Sequence, residues 1–261
     1  MATQYQTALI TGASSGLGRG LALWLARRGV KVYAAARRAQ QLEELAALSQ
    51  GSVVPFVLDV AKTSQTLEKL RALDQECGGL DLVIANAGVG EVTNARKLDW
   101  DRVQRTIDVN VTGAAATLCA ALPAMVERGR GHLVGVSSLA AFRGFPGSAA
   151  YCASKAFLQV FLEGLRVDLR GSGLKVTSIH PGYVKSEMTA NTKGPMPFLL
   201  ETEDAVERMG KAIYRGDAEF SFPWQIAGVM KAMRLMPNGI YDLALGAGRK
   251  RGARKVPPPQ S

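Results

Sequence analysis

Short apolar runs alternate with helix-period segments along most of the chain. Thr7–Ile10 reads as a strand, and a helix then runs to Arg28, where Gly29 ends it. Lys31–Ala36 and Val53–Leu58 are further strand-like runs, with a helix over Gln40–Leu48 between them. A helix over about Ser64–Cys77 leads to the strand Leu82–Ala85, and a long one, Asp99–Glu127, leads to the strand His132–Ser137. Ala149–Arg170 is helical and Lys175–His180 is a strand. Strands this rich in Val, Ile and Leu have no polar face, so helices must cover both sides of the sheet. The pattern predicts an α/β fold, a doubly wound parallel sheet in a single domain. Its ligands would sit at the carboxyl ends of strands, near the point where the strand order reverses.

Beyond His180 the periodicity loosens. Pro181–Pro197 reads as a long loop, and loops longer than about 12–15 residues in compact domains commonly cover a binding site. We take 183–199 as the substrate loop. A helix, Thr202–Arg215, and a short strand, Glu219–Phe222, return the chain to the sheet. In a helix over Trp224–Leu235, Ile226, Val229, Met230 and Met233 recur at helical spacing. Core or subunit packing is the favoured reading; a lid over an apolar substrate, or a membrane-facing patch with Lys231 and Arg234, is the alternative. Pro123 is expected to kink or end the long helix.

Composition narrows the class. With 47% hydrophobic and 21% charged residues among 261, the chain can bury a full core without metal or disulfides. Its three cysteines (Cys77, Cys119, Cys152) have no metal-ligand spacing and form no disulfide framework, and His132 and His180 suit core or strand-edge roles, so no metal is expected. The longest nearly apolar stretch, Gly113–Val126, falls short of the roughly 18 residues that span a bilayer. The polar start of the chain does not read as a signal peptide. A soluble cytoplasmic protein is expected. Arg249, Lys250, Arg251, Arg254 and Lys255 supply half of the net charge of +10. The body, 1–245, therefore carries little excess charge and no nucleic-acid surface is expected, while 246–261 reads as a basic, solvated tail. Contact of that tail with an anionic membrane is the less favoured alternative.

Three groups of residues carry chemistry. Between the first strand and first helix lies Thr11-Gly12-Ala13-Ser14-Ser15-Gly16-Leu17-Gly18. Glycines here allow a tight turn and close approach of a phosphate, which the helix N-terminus stabilises. No Gly-Lys-Ser/Thr follows, so it is not a P-loop. Tyr151 and Lys155 are four apart on a helix and share a face. A nearby ammonium is expected to move the phenol, ordinarily near pKa ~10, toward neutral pH. Ser138, at the end of a strand, could donate a hydrogen bond to a substrate carbonyl.

Together these features resemble the short-chain dehydrogenase/reductase family over roughly residues 5–190, and the resemblance implies a Rossmann-type fold. TGASSGLG resembles the family's TGxxxGxG, which implies cofactor contacts from Gly12, Ser14, Ser15, Gly16, Leu17 and Gly18. Asp59 and Val60 look like the adenine contacts. Asn86-Ala87-Gly88 is similar to the family's NNAG, with Ala85 where the first Asn is usual. Asn110 in DVNVTG looks like the proton-relay Asn, holding a water that links Lys155 to solvent. Ser138, Tyr151 and Lys155 match the remaining catalytic positions. Pro181-Gly182 resembles the PG motif, with Val184 and Ser186 implied beside the nicotinamide. The implied chemistry is hydride transfer: Ser138 polarises a carbonyl, Tyr151 donates a proton, and Lys155 lowers the Tyr pKa and holds the ribose.

The second strand bears on which dinucleotide is used. An acid at its end would bind a ribose 2′-OH and repel a 2′-phosphate. The end reads Ala34-Ala35-Ala36-Arg37-Arg38, which offers two guanidiniums instead. NADP(H) is the expected cofactor. Tyr183, Met188, Met196, Phe198 and Leu199 in the loop suggest an apolar carbonyl or secondary alcohol as the small-molecule substrate. The resemblance implies a homodimer or homotetramer. A β-ketoacyl-(acyl-carrier-protein) reductase and a non-catalytic dinucleotide sensor are the competing readings.

Overall fold

Leu9 and Ile10 are both fully buried but belong to different apolar clusters, as alternate residues of a strand covered on two faces must. The computed structural model describes residues 4–190 and 194–246. Seven strands, β1 (Thr7–Thr11), β2 (Lys31–Ala36), β3 (Val53–Val57), β4 (Leu82–Ala85), β5 (Gly131–Val136), β6 (Leu174–Pro181) and β7 (Glu219–Phe222), form one sheet in the order 3-2-1-4-5-6-7. Every adjacent pair is parallel. The helices are α1 (Gly16–Ala26), α2 (Ala39–Ala47), α3 (Thr63–Glu76), α4 (Trp100–Ile107), α5 (Ala114–Arg128), α6 (Ala149–Asp168), α7 (Thr202–Arg215), α8 (Trp224–Leu235) and α9 (Asn238–Gly246). Ile10 packs with Leu21, Trp24 and Leu25 of α1 and Val206 and Met209 of α7 on one face. Leu9 packs with Leu70 of α3, Leu118 of α5 and Leu158 of α6 on the other. The order grows outward from β1 to β3 and restarts at β4, so a crevice opens above the carboxyl ends of β1 and β4.

The expected Rossmann-type architecture is present, with local differences. The helix expected to reach Arg28 ends at Ala26, and Gly29, at φ +77°, turns the chain into β2. The expected single helix over 99–127 is two, α4 and α5, joined by a π-helical turn at Asp108–Gly113. Pro123 neither ends nor breaks α5, which runs on to Gly129 at φ +63°. Cys119 and Pro123 share an exposed face, so the carbonyl that loses its donor faces solvent. The whole stretch Trp100–Arg128 is long and apolar enough to cross a bilayer, yet Leu118 and Met125 are buried against the sheet. β6 extends to Pro181 because β7 pairs with its end.

α9 is not marked by the sequence pattern, because Ile240, Tyr241, Leu243, Ala244 and Leu245 are nearly consecutive and give no helical period; most of its side chains are exposed. α8 buries Ala227 and Met230 against Leu139 and Phe142, with Ile226 and Met233 packed beside them. Val229, expected in that stripe, is exposed instead. The basic tail, apart from Gly246, lies outside the described residues.

Candidate functional site

The crevice is built first by contacts that only glycine allows. Gly12 follows β1 at φ +70°, and a Cβ there would stand 2.7 Å from Ala87 Cα in the loop after β4. A Cβ on Gly18 would overlap Asn86 Nδ2 and the carbonyl of Gly12. Thr11 clasps the same two loops. Its hydroxyl accepts from the backbone N–H of Asn86 at 3.1 Å and Ala87 at 3.2 Å, and Asn86 Nδ2 donates to Thr11 O at 2.9 Å. Thr11 was not among the candidate residues. Its place at the first position of the glycine motif was the available signal.

Ser15 precedes α1 but its side chain does not cap the helix, which leaves the first N–H groups of Gly16, Leu17 and Gly18 free for an anion. The hydroxyls of Ser14 and Ser15 are turned to Arg38. Arg38 Nη2 donates to Ser14 Oγ at 2.9 Å and Ser15 Oγ at 2.8 Å, and Nε donates to Ser14 Oγ at 3.1 Å. Nη1 meets the carboxylate of Glu187 at 3.1 Å. Arg37 is exposed and has no hydrogen-bond or ion-pair partner among the described residues. Of the two guanidiniums expected here, the fold thus brings one to the turn. Asp59 closes a short turn by accepting from Ala61 N at 3.2 Å, and Val60 is buried against Gly113.

At the other end of the crevice, Ser138 follows β5. Its Oγ accepts from Ala140 N at 3.1 Å and makes a long 3.4 Å contact with Pro181 O. Tyr151 and Lys155 occupy the first two turns of α6 and share a face, with Lys155 Nζ 5.8 Å from the centroid of the Tyr151 ring. Lys155 is buried; its Nζ donates to Val136 O at 2.8 Å, and Ser137 Oγ donates to Lys155 O at 2.8 Å. Asn110 lies in the π-helical turn, a feature often found at functional sites. Its Oδ1 accepts from Val89 N at 2.8 Å, while Nδ2 donates to Val89 O at 2.9 Å and Ser154 Oγ at 3.0 Å. Gly88 adjoins both: a Cβ there would stand 3.3 Å from Lys155 Nζ and 3.4 Å from Asn110 Oδ1.

The electrostatics here correct an expectation. Lys155 was expected to draw the Tyr151 phenol down, but burial raises it, and the hydroxyl of Ser138 pulls only partly the other way. Burial lowers the Lys155 ammonium to about 8, with no carboxylate bonded to it among the described residues. Burial is thus the largest influence on both groups.

The loop after β6 covers the crevice. Gly182 N donates to Phe222 O at 2.7 Å, and Val184 bridges to Leu200. Ser186 faces the glycine turn, since a Cβ on Gly16 would lie 3.5 Å from its Cβ. Met188 reaches Gly90 on the opposite wall, 3.2 Å from where a Cβ would be. Both histidines are core residues. His132 joins Tyr5 and Thr177, each at 2.8 Å, and burial lowers it to about 3. His180 lies behind Ser138, with Nδ1 3.4 Å from its carbonyl and Nε2 2.9 Å from Ser178 Oγ, and burial lowers it to about 4.

Comparison with known proteins gives this cleft its context. A family model described as short chain dehydrogenase matches residues 6–196. An uncharacterised oxidoreductase of Myxococcus xanthus is 65% identical over 243 residues, which is 92% of this chain and 96% of that protein. A short-chain dehydrogenase from Burkholderia cenocepacia, solved in complex with NADP, superposes with a TM-score of 0.80 at 26% identity, covering 94% of this chain and 99% of that one. One from Sphingobium yanoikuyae, in complex with NADPH, superposes with a TM-score of 0.79 at 26% identity, covering 95% and 98%. With the family match spanning most of the fold, the chain belongs to the short-chain dehydrogenase family and is an oxidoreductase.

Proposed function

We propose that the protein is an NADP(H)-dependent oxidoreductase that interconverts a carbonyl and a secondary alcohol on an apolar small molecule. The observation that carries this reading is the convergence of Ser138, Tyr151, Lys155 and Asn110 at one end of a cleft whose other end presents Arg38. The cradle fits a dinucleotide. Gly12 and Gly18 leave room no side chain would, and the uncapped start of α1 offers N–H groups to a pyrophosphate. Arg38 suits a 2′-phosphate, and the end of β2 carries no acid to repel one. Asp59, Val60, Asn86, Ala87, Gly88, Pro181, Gly182, Val184 and Ser186 would line the remaining length. A bound nicotinamide dinucleotide supplies or accepts the hydride.

The chain's own residues handle the proton. Ser138 Oγ already accepts from Ala140 N–H, and its contact with Pro181 O is too long to hold the hydroxyl hydrogen firmly, so that hydrogen can turn to a substrate oxygen. As the carbonyl carbon gains a hydride, its oxygen takes the proton of the Tyr151 hydroxyl, which is protonated at neutral pH because burial raises it. Lys155 is mostly charged at pH 7 and stabilises the phenolate that remains. Asn110, fixed on both sides of Val89, would orient the route by which that phenolate regains a proton from solvent. Tyr183, Met188, Phe198 and Leu199 are exposed on the covering loop, which supports an apolar substrate.

Residues 1–245 form the working domain in this reading. Phe157, Val160 and Val167 stand exposed on α6, which supports assembly into a homodimer or homotetramer. The test is NADPH and NADH oxidation over a panel of ketones and aldehydes, with direct measurement of dinucleotide binding. Turnover with NADPH on apolar carbonyls supports the proposal; tight binding with no turnover on any compound would favour the sensor instead.

A further inference from the structure

Arg38 has an unexpected third partner. Two sides of its guanidinium are taken by the neutral hydroxyls of Ser14 and Ser15, and the remaining Nη1 points at Glu187, at 3.1 Å from Oε2 and 3.4 Å from Oε1. Glu187 lies 149 residues away in sequence, on the covering loop. Its neighbours in that loop touch the rest of the cleft: Ser186 faces Gly16 of the glycine turn, and Met188 faces Gly90. The carboxylate thus occupies the guanidinium that the proposed function assigns to the 2′-phosphate. Two anions cannot share Nη1 without repulsion, so a phosphate must displace Glu187 before it can make a two-pronged contact.

We infer that Glu187 is a latch on the 2′-phosphate site and a determinant of cofactor selectivity. With Arg38 unoccupied by phosphate, the latch ties the covering loop to the glycine turn. A 2′-phosphate releases the loop at Glu187, whereas a cofactor without that phosphate leaves the pair in place. Recognition at the adenosine end is in this way coupled to the element that covers the substrate. The Glu187 side chain is 66% exposed, so the pair is weak enough to yield to a phosphate yet present as a competitor. This inference rests on Arg38 being the 2′-phosphate ligand.

The experiment measures dissociation constants for NADPH, NADH and adenosine 2′,5′-bisphosphate by calorimetry. It uses the intact protein, Glu187→Gln, Arg38→Ala and the double variant. Removing the competing charge should tighten NADPH and the bisphosphate by about 2- to 5-fold, the range of an exposed ion pair, and leave NADH unchanged. In the Arg38→Ala background the same change should have no effect, because the competition needs the guanidinium. If Glu187→Gln leaves NADPH unchanged or weaker while Arg38→Ala still weakens NADPH selectively, the latch is wrong and the cofactor assignment stands. If Arg38→Ala weakens NADPH and NADH equally, the phosphate assignment fails and the latch fails with it.

Discussion

Lys155 and Arg38 are cations at opposite ends of one cleft, and the fold treats them in opposite ways. Lys155 is buried, bonds a backbone carbonyl, and is pushed down to about 8 by desolvation. Arg38 is 40% exposed and shares its donors among two hydroxyls and a carboxylate. Under the proposed function, the difference follows from what each end must do. At the chemistry end a proton must move at neutral pH, which requires groups whose affinity for protons has been shifted by removing water. At the adenosine end a permanent charge only has to select one anion, and an exposed guanidinium does so while letting the ligand exchange. The buried end should therefore respond to pH, and the exposed end to salt.

The largest effect expected is at the buried end. Tyr151→Phe keeps the ring and its packing but removes the proton, and should lower turnover by about 100-fold or more while barely changing NADPH affinity. Near-wild-type turnover in steady-state assays would remove Tyr151 from the chemistry. Next comes the exposed end. Arg38→Ala should weaken NADPH by about 10- to 100-fold, the worth of a charged hydrogen bond of roughly 1.5–3 kcal/mol, with little change for NADH. Adding Ala36→Asp to Arg38→Ala should reverse the preference by introducing repulsion. In calorimetric titrations at rising salt, NADPH should lose affinity faster than NADH.

A pH series then separates the two ends. In the proposed function, carbonyl reduction needs Tyr151 protonated and Lys155 charged. The charged fraction of Lys155 falls as pH rises through about 8, so kcat/KM for reduction should be level up to about pH 7, fall to roughly half near pH 8 and keep declining above it. The NADPH-to-NADH affinity ratio should stay constant above pH 7, since a guanidinium keeps its charge throughout. A ratio that tracks the activity decline would mean that the ends are not independent. The smallest effect belongs to neither end. Truncation after Leu245 should change turnover and NADPH affinity less than about twofold, and should leave flotation with anionic vesicles negligible, as for the full chain at physiological salt.

Much of this protein is local and could be read without coordinates. Gly12, Gly16 and Gly18 sit within one turn, and Tyr151 and Lys155 one helical turn apart, so spacing along the chain already implies their shared position. The alternation of strands and helices needs only nearest-neighbour patterning, which is why the doubly wound sheet and the extents of β4, α7, β7 and α8 were legible from the apolar runs. The motif resemblance, carried by those short segments, points to the same family as the whole-chain comparison.

What the tertiary structure decided is what depends on distance in sequence or on the exclusion of water. That Arg38 and not Arg37 reaches the turn follows from how β2 hands over to α2, and its pairing with Glu187 exists only because the loop after β6 folds across β1. Thr11 became a clasp once β4 lay beside β1. α9, whose apolar residues Ile240, Tyr241, Leu243, Ala244 and Leu245 are nearly consecutive, shows no alternation of apolar and polar faces to read. The raised Tyr151 and lowered Lys155 were beyond any spacing argument, because a pKa is set by the dielectric around a group, and only the packed fold removes the water.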